Sequence, residues 1–265
     1  MSIKRHSAAD EPFLSVRTMR TVWPNGHAID AHAHDWHQLI YASAGIMTVS
    51  ADKGLWVVPP TWAIWAPASV RHAITFSGAS SFATLYLRPS DWRDLPRESG
   101  VVAVSPLLRE LILRACEIGM LDRREPVEQA LAMLIVDAFR ARVVPALGLA
   151  MPASAGLRLV AEHCAVGADS EGTPSIARRF GFSVRTLERR FAAETGMTFG
   201  QWRRQSRFLR ALRLLAEGRA VKTVARDAGY RSASAFVAAF SDTFGTTPGR
   251  YFAATNVPWN PSGRA

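Results

Sequence analysis

Two groups of residues in this 265-residue chain have the types and spacing to do chemistry. The first is His32-x-His34, with Gln38 four residues on and His72 further along. On a strand, His32 and His34 point to one face, and Gln38 keeps that parity if the strand continues. With His72 supplied by a neighbouring strand, three imidazoles and an amide oxygen make a site for a divalent ion, with Fe, Mn, Ni, Cu and Zn all candidates. Without a metal, the same side chains would line a polar pocket for an organic effector. The second group is Arg185, Glu188 and Arg189, spaced to share the exposed side of one helix. Arg185 and Arg189 carry forked donors that match guanine O6 and N7, and Glu188 can accept from cytosine N4. The plainer reading leaves both arginines on phosphates, so base contact is expected for one of the two.

The elements that must position the second group occur twice. One copy starts at Ile176-Ala177-Arg178-Arg179-Phe180-Gly181, runs through Leu187 and Phe191, and reaches Gly196, Thr198 and Trp202. The other starts at Val224-Ala225-Arg226-Asp227-Ala228-Gly229, runs through Phe236 and Phe240, and reaches Gly245, Thr247 and Tyr251. A short helix, a glycine turn and a second amphipathic helix is the pattern of a helix-turn-helix. Thr173-Pro174 reads as the cap and first position of the first short helix. Val184, Leu187 and Phe191 are expected to face inward. In the second copy Arg231, Ser232, Ala233, Ser234 and Val237 hold outward positions. These are mostly poor donors, suited to backbone docking or to thymine methyls, so discrimination is expected to rest on the first copy. Between the copies, Phe199 to Ala216 reads as a helix of roughly 27 Å. Its apolar side is Trp202, Phe208, Leu209, Leu212 and Leu215, and its basic side Arg203, Arg204, Arg207, Arg210 and Arg213. That length approaches the ~34 Å between successive major grooves, so the helix can space two recognition helices. Residues 154–265 hold 17 Lys+Arg against 8 Asp+Glu, whereas residues 1–153 hold 15 against 14. The basic half thus carries nearly all of the net charge, as a polyanion-binding half would.

The histidine group lies in a different kind of sequence. Short apolar runs at Gln38–Ala42, Ile46–Ala51, Leu55–Val58, Trp62–Ala66, His72–Phe76 and Phe82–Leu87 are punctuated by Gly45, Pro59-Pro60, Pro67 and Ser77-Gly78. Short strands at this spacing predict an antiparallel sandwich or barrel. Residues 1–20 are mixed and read as frayed. His37 falls out of the His32/His34 register, and Trp36, Trp56, Trp62 and Trp65 suit a core better than a ligand platform. Ser105–Gly119 and Pro126–Arg142 show helical spacing and form a hairpin, placed to cover the sheet, to pair with a second subunit, or both. Pro145–Pro152 reads as a linker. The two cysteines, Cys116 and Cys164, form no CxxC and fit a reducing compartment. Residues 1–15 lack an apolar signal-peptide core, and no apolar run approaches the ~20 residues of a membrane span.

Gly229-Tyr230-x-Ser232-x-Ser234-Ala235-Phe236, then Phe240, then Phe244-Gly245-Thr246-Thr247-Pro248-x-x-Tyr251, resembles the signature of the AraC/XylS transcription regulators. Arg185-Thr186-Leu187-x-Arg189 and Glu194-Thr195-Gly196-Met197-Thr198-Phe199 match the first half of that signature. One departure is Ala238, where many members carry an arginine. The spacing of His32, His34, Gln38, Pro67, Ser69 and His72 resembles the two metal-site motifs of cupins, with Gln38 replacing the usual glutamate. Trp56-Val57-Val58-Pro59-Pro60 after the histidines resembles a subgroup that includes regulators of drug-efflux genes.

The resemblance implies a two-domain α+β protein. It comprises a cupin-like β-barrel at 21–90, a helical dimerisation and linker region at 91–144, and an all-α DNA-binding domain with two helix-turn-helix motifs at 154–253. It further implies a cytoplasmic, homodimeric regulator, with activation the first expectation. The partners would be double-stranded promoter DNA, RNA polymerase and a small-molecule effector, with no membrane. A divalent metal at His32, His34, Gln38 and His72 is the one cofactor candidate. The alternative is a metal-dependent cupin enzyme fused to a DNA-binding module, and a blander one is a constitutive binder whose cupin only dimerises.

Overall fold

The computed structural model describes residues 13–51, 54–140, 148–166 and 171–255. In chain order the elements are β1 (Leu14–Trp23), β2 (Ala28–His32), β3 (His37–Ala51), β4 (Gly54–Val58), β5 (Trp62–Ala66), β6 (His72–Leu87), β7 (Gly100–Ala103), α1 (Pro106–Ile118), β8 (Met120–Asp122), α2 (Pro126–Arg140) and β9 (Gly148–Ala150). The helices α3 (Ala155–Val166), α4 (Thr173–Arg179), α5 (Val184–Thr195), α6 (Phe199–Ala216), α7 (Val221–Asp227), α8 (Ala233–Phe244) and α9 (Pro248–Thr255) follow. Among the described residues the chain forms two compact units, one of 13–51 and 58–140, the other of 54–57, 148–166 and 171–254.

In the first unit the strands lie in the order β7-β5-β3-β6-β1-β8, with β2 beside the other end of β6. The path runs open from β7 to β8 rather than closing into a barrel among the described residues. Residues 14–20, expected to fray, are held in β1 because Val16 through Trp23 pair antiparallel with β6. β3 and β6 are longer than the predicted runs. Gly45 and Ser77-Gly78, read as breaks, lie inside continuous strands. Gly45 sits at φ +79, and a Cβ there would lie 2.1 Å from Ser80 Oγ, so this glycine bends the strand where a side chain would clash.

One sheet face is apolar. Val16, Leu39, Tyr41, Leu85 and Leu87 pack against Leu108, Ile112 and Ala115 of α1 and Leu131, Ile135 and Phe139 of α2. Each large side chain so buried contributes roughly 1.5–3 kcal/mol. Ser105 caps α1 by accepting from Leu108 N at 3.2 Å, with Pro106 behind it, as the sequence predicts. Strand alternation leaves Gln38, Thr84 and Tyr86 on the opposite face.

In the second unit, α4–α5 and α7–α8 are the two helix-turn-helix motifs, with α6 between them. Leu187, Phe191, Phe199 and Trp202 form one core, and Phe208, Phe236, Phe240 and Tyr251 the other. Part of the stretch read as a linker, Gly148–Ala150, is strand β9, paired with β4; residues 145–147 lie outside the described ones. A Cβ on Gly54 or Gly148 would lie 2.1 or 2.5 Å from the Trp56 ring, so the indole covers both glycines. Trp202 Nε1 donates to Ala150 O at 2.9 Å. Gly172, not Thr173, caps α4, because Thr173 already has helical geometry.

The arginine stripe of α6 differs from its expected form. Arg203 is buried and donates to Glu171 O at 2.6 Å and Thr173 Oγ1 at 3.2 Å. Arg213 donates to Ala165 O at 3.3 Å. These guanidiniums cap carbonyl ends of neighbouring segments instead of facing solvent.

Candidate nucleic-acid interface and ligand face

Helix α5 begins where Ser183 accepts from Thr186 N at 3.1 Å and ends at Gly196 in the left-handed conformation. Leu187 and Phe191 are fully buried and fix its rotation. Arg185 and Arg189 are therefore exposed. Val184, grouped with the buried residues by its spacing, is 40% exposed because it lies in the first turn, before the helix meets the core. Glu188 has a different partner from the one its position suggests. Its Oε2 accepts from Phe199 N at 2.9 Å, satisfying a donor at the start of α6.

Helix α8 repeats this construction. Ser232 accepts from Ala235 N at 3.1 Å, Gly245 closes the helix in the left-handed conformation, and Phe236 and Phe240 are buried. Arg231, Ser232 and Ser234 are exposed, with Ala233 and Val237 half-buried. The two helices thus have equal length and the same cap residues, and the buried pair Leu187 and Phe191 of α5 is matched by Phe236 and Phe240 of α8. They differ in what they present: guanidiniums on α5, hydroxyls and methyls on α8.

In the first unit, His32 ends β2 directly opposite His72 on β6. His34 follows in the loop, and Gln38 lies on β3 opposite Tyr86. The three imidazoles come together, with one nitrogen from each lying within 4.8 Å of the others. Each ring is held through Nδ1. His32 Nδ1 is 2.8 Å from Asp30 O, His34 Nδ1 is 2.7 Å from Trp36 O, and His72 Nδ1 is 2.9 Å from Val70 O. A carbonyl only accepts, so all three Nδ1 atoms carry the proton and donate it. A neutral ring so held keeps its lone pair on Nε2.

Gln38 joins the group. Its Oε1 lies 3.0 Å from His34 Nε2, while its Nε2 donates to Thr84 Oγ1 at 2.9 Å. Thr84 Oγ1 in turn donates to Leu39 O at 2.9 Å. The threonine hydroxyl has spent its proton and can only accept from Gln38, which fixes the amide with its oxygen toward the histidines. Tyr86 stacks edge-on against His34 with ring centroids 5.2 Å apart, and burial pushes its phenol up to about 12, so it is neutral. Thr84 and Tyr86 escaped the sequence reading. Their alternation on one strand was visible, but their role depends on the β3–β6 register. His37 stands apart, as its parity predicts, accepting from Ala68 N at 2.9 Å. Burial lowers the pKa of His37.

Residues 22–144 match the model of the AraC-like ligand binding domain, and residues 176–254 that of a helix-turn-helix domain. The chain is 34% identical over 223 residues to the HTH-type transcriptional regulator NimR of Escherichia coli K12, covering 84% of this chain and 81% of NimR. This chain belongs to the AraC family of transcription regulators. As a family member it is a DNA-binding transcription regulator with a ligand-binding domain, and not an enzyme. The HTH-type transcriptional regulator RipA of Corynebacterium glutamicum is 33% identical over 102 residues, 38% of this chain and 31% of RipA. A crystal structure of ToxT from Vibrio cholerae aligns over 92% of this chain and 99% of its own, at 12% identity and a TM-score of 0.38. Among the described residues, no helix is long and apolar enough to cross a membrane.

Proposed function

We propose that this family member binds promoter DNA by inserting α5 and α8 into two successive major grooves, with α6 as the spacer. The observation that carries this reading is the matched construction of α5 and α8 around one 18-residue helix. Arg185 and Arg189 face the groove from the first helix, one of the two reading a base and the other held on phosphate. Glu188 contributes mainly by holding α6. Arg231, Ser232, Ala233, Ser234 and Val237 dock the second helix, through hydroxyl and guanidinium contacts to phosphate and through methyl contacts to thymine. The DNA-binding part is 154–253, and the ligand-binding part is 21–90 with the helices of 91–144.

The ligand is sensed on the sheet face that carries His32, His34, Gln38 and His72. The protein acts in the cytoplasm as a homodimer and contacts RNA polymerase as an activator. Support for the dimer comes from α2, where Val127 is 79% exposed and Leu134 54% exposed, seven residues apart on one stripe.

The direct test is a promoter-reporter strain carrying the wild-type chain or the Arg185→Ala/Arg189→Ala double variant. Wild type is expected to change reporter output, and the variant, at equal protein level, to lose that effect. Equal output from both would overturn the assignment of the first recognition helix.

A further inference from the structure

We propose that the DNA-binding unit carries a small-molecule site of its own, a cleft between its two helix-turn-helix motifs that takes an amphipathic organic anion: a flat apolar body bearing one carboxylate. The cleft has a volume of about 500 Å³. Small-molecule pockets span roughly 300–1,000 Å³. Both motifs contribute to it. Met197, just past the end of α5, and Gln201, Arg204 and Phe208 of the spacer α6 meet Tyr230 of the second turn and Ala239 of α8.

The lining selects the ligand. Phe208 and Tyr230 supply ring surface, and both pack against Phe236, with centroids 6.3 and 5.3 Å away, so their positions are set by the core. Arg204 is exposed and is the one charged residue of the lining. Its planar fork matches a carboxylate with two parallel bonds. Gln201 Oε1 accepts from Thr198 N at 3.0 Å, which leaves the NH₂ end of that amide as a donor. Burial raises the pKa of Tyr230, so its hydroxyl stays protonated and can donate as well. DNA phosphate is the other anion this unit meets, but α8 turns the cleft away from it. Ala239 lies about 150° around the helix from the centre of Ala233, Ser234 and Val237, at 3.6 residues per turn. A bound anion and a bound duplex therefore use different sides of α8. Filling a cleft whose walls belong to both motifs fixes the spacing of α5 and α8, which couples occupancy to DNA affinity. That coupling rests on the reading of α5 and α8 as recognition helices, whereas the cleft itself does not.

The experiment titrates the full chain with 2-naphthoate by calorimetry, beside its uncharged counterpart 2-naphthalenemethanol. Naphthoate is expected to bind the wild type more tightly than the alcohol. Arg204→Gln should weaken naphthoate about tenfold or more and leave the alcohol unmoved. Ala239→Trp, which fills the cleft, should weaken both. No naphthoate binding by the wild type at millimolar concentration overturns the proposal without recourse to any variant. Binding unchanged by either substitution also overturns it, by placing the probe elsewhere. With a labelled duplex selected from a random pool, naphthoate should move duplex affinity to a plateau, and the duplex should move naphthoate affinity by the same factor. Competition without a plateau would give the cleft to DNA phosphate, and an unmoved duplex affinity would overturn the coupling. A chain that binds naphthoate in the cleft but retains no duplex keeps the site and loses the recognition helices.

Discussion

Glu188 and Arg189 are neighbours in the sequence, one turn beyond Arg185, and spacing alone assigns all three to DNA. The structure separates them. Arg189 is exposed, while the Glu188 carboxylate accepts from Phe199 N at 2.9 Å. Arg189→Ala should therefore cost about 1–3 kcal/mol on a cognate duplex and less on random DNA, measured by fluorescence anisotropy at several salt concentrations. An equal loss on both duplexes, with the salt slope smaller by about one, would reduce Arg189 to a phosphate contact. Glu188→Gln should instead lower thermal stability by about 1 kcal/mol, the scale of a lost helix cap, and leave base preference in place. At the same scale, burial pushes the Cys116 thiol up to about 11. Its thiolate is scarce at neutral pH, so native protein should resist iodoacetamide there, and labelling should rise only on unfolding or as pH approaches 11. Rapid native alkylation at pH 7 would contradict this.

At the scale of elements, what was legible depended on how local the signal was. Ser105-Pro106, Ser183 and Ser232 were readable as helix starts because capping acts within one turn. The two Gly-turn repeats were readable because a glycine between helical runs has few alternatives. The long strands were not. Gly45 and Ser77-Gly78 look like breaks, and only pairing across to the neighbouring strand turns them into bulges. Arg203 was likewise misplaced on a solvent face, since its partners, Glu171 O and Thr173 Oγ1, are about thirty residues away. Arg203→Met should keep the helix but lose these charge-assisted bonds. About 1.5–3 kcal/mol of stability of the DNA-binding unit is expected to go with them, read by urea unfolding. On α2, Leu134→Glu should shift the chain from dimer to monomer in sedimentation velocity. An unchanged sedimentation coefficient would place any dimer contact elsewhere.

For the whole molecule, the division of labour was visible in charge before any fold was considered. Residues 154–265 carry 17 of the 32 Lys+Arg but only 8 of the 22 Asp+Glu. The ligand side was legible in part: the histidine spacing named four of the residues that meet, but the hydroxyl and phenol of Thr84 and Tyr86 join them only through strand register. The central claim is that one chain reads two adjacent grooves through two differently furnished helices. The measurement that tests it most directly is selection of duplexes from a random pool by the full-length protein, followed by hydroxyl-radical footprinting of the winners. The account predicts, for each chain, two protected patches on one face of the duplex, about 10 base pairs apart. Strong sequence preference should appear under α5 and weak preference under α8. A single patch, or equal preference in both, would contradict it.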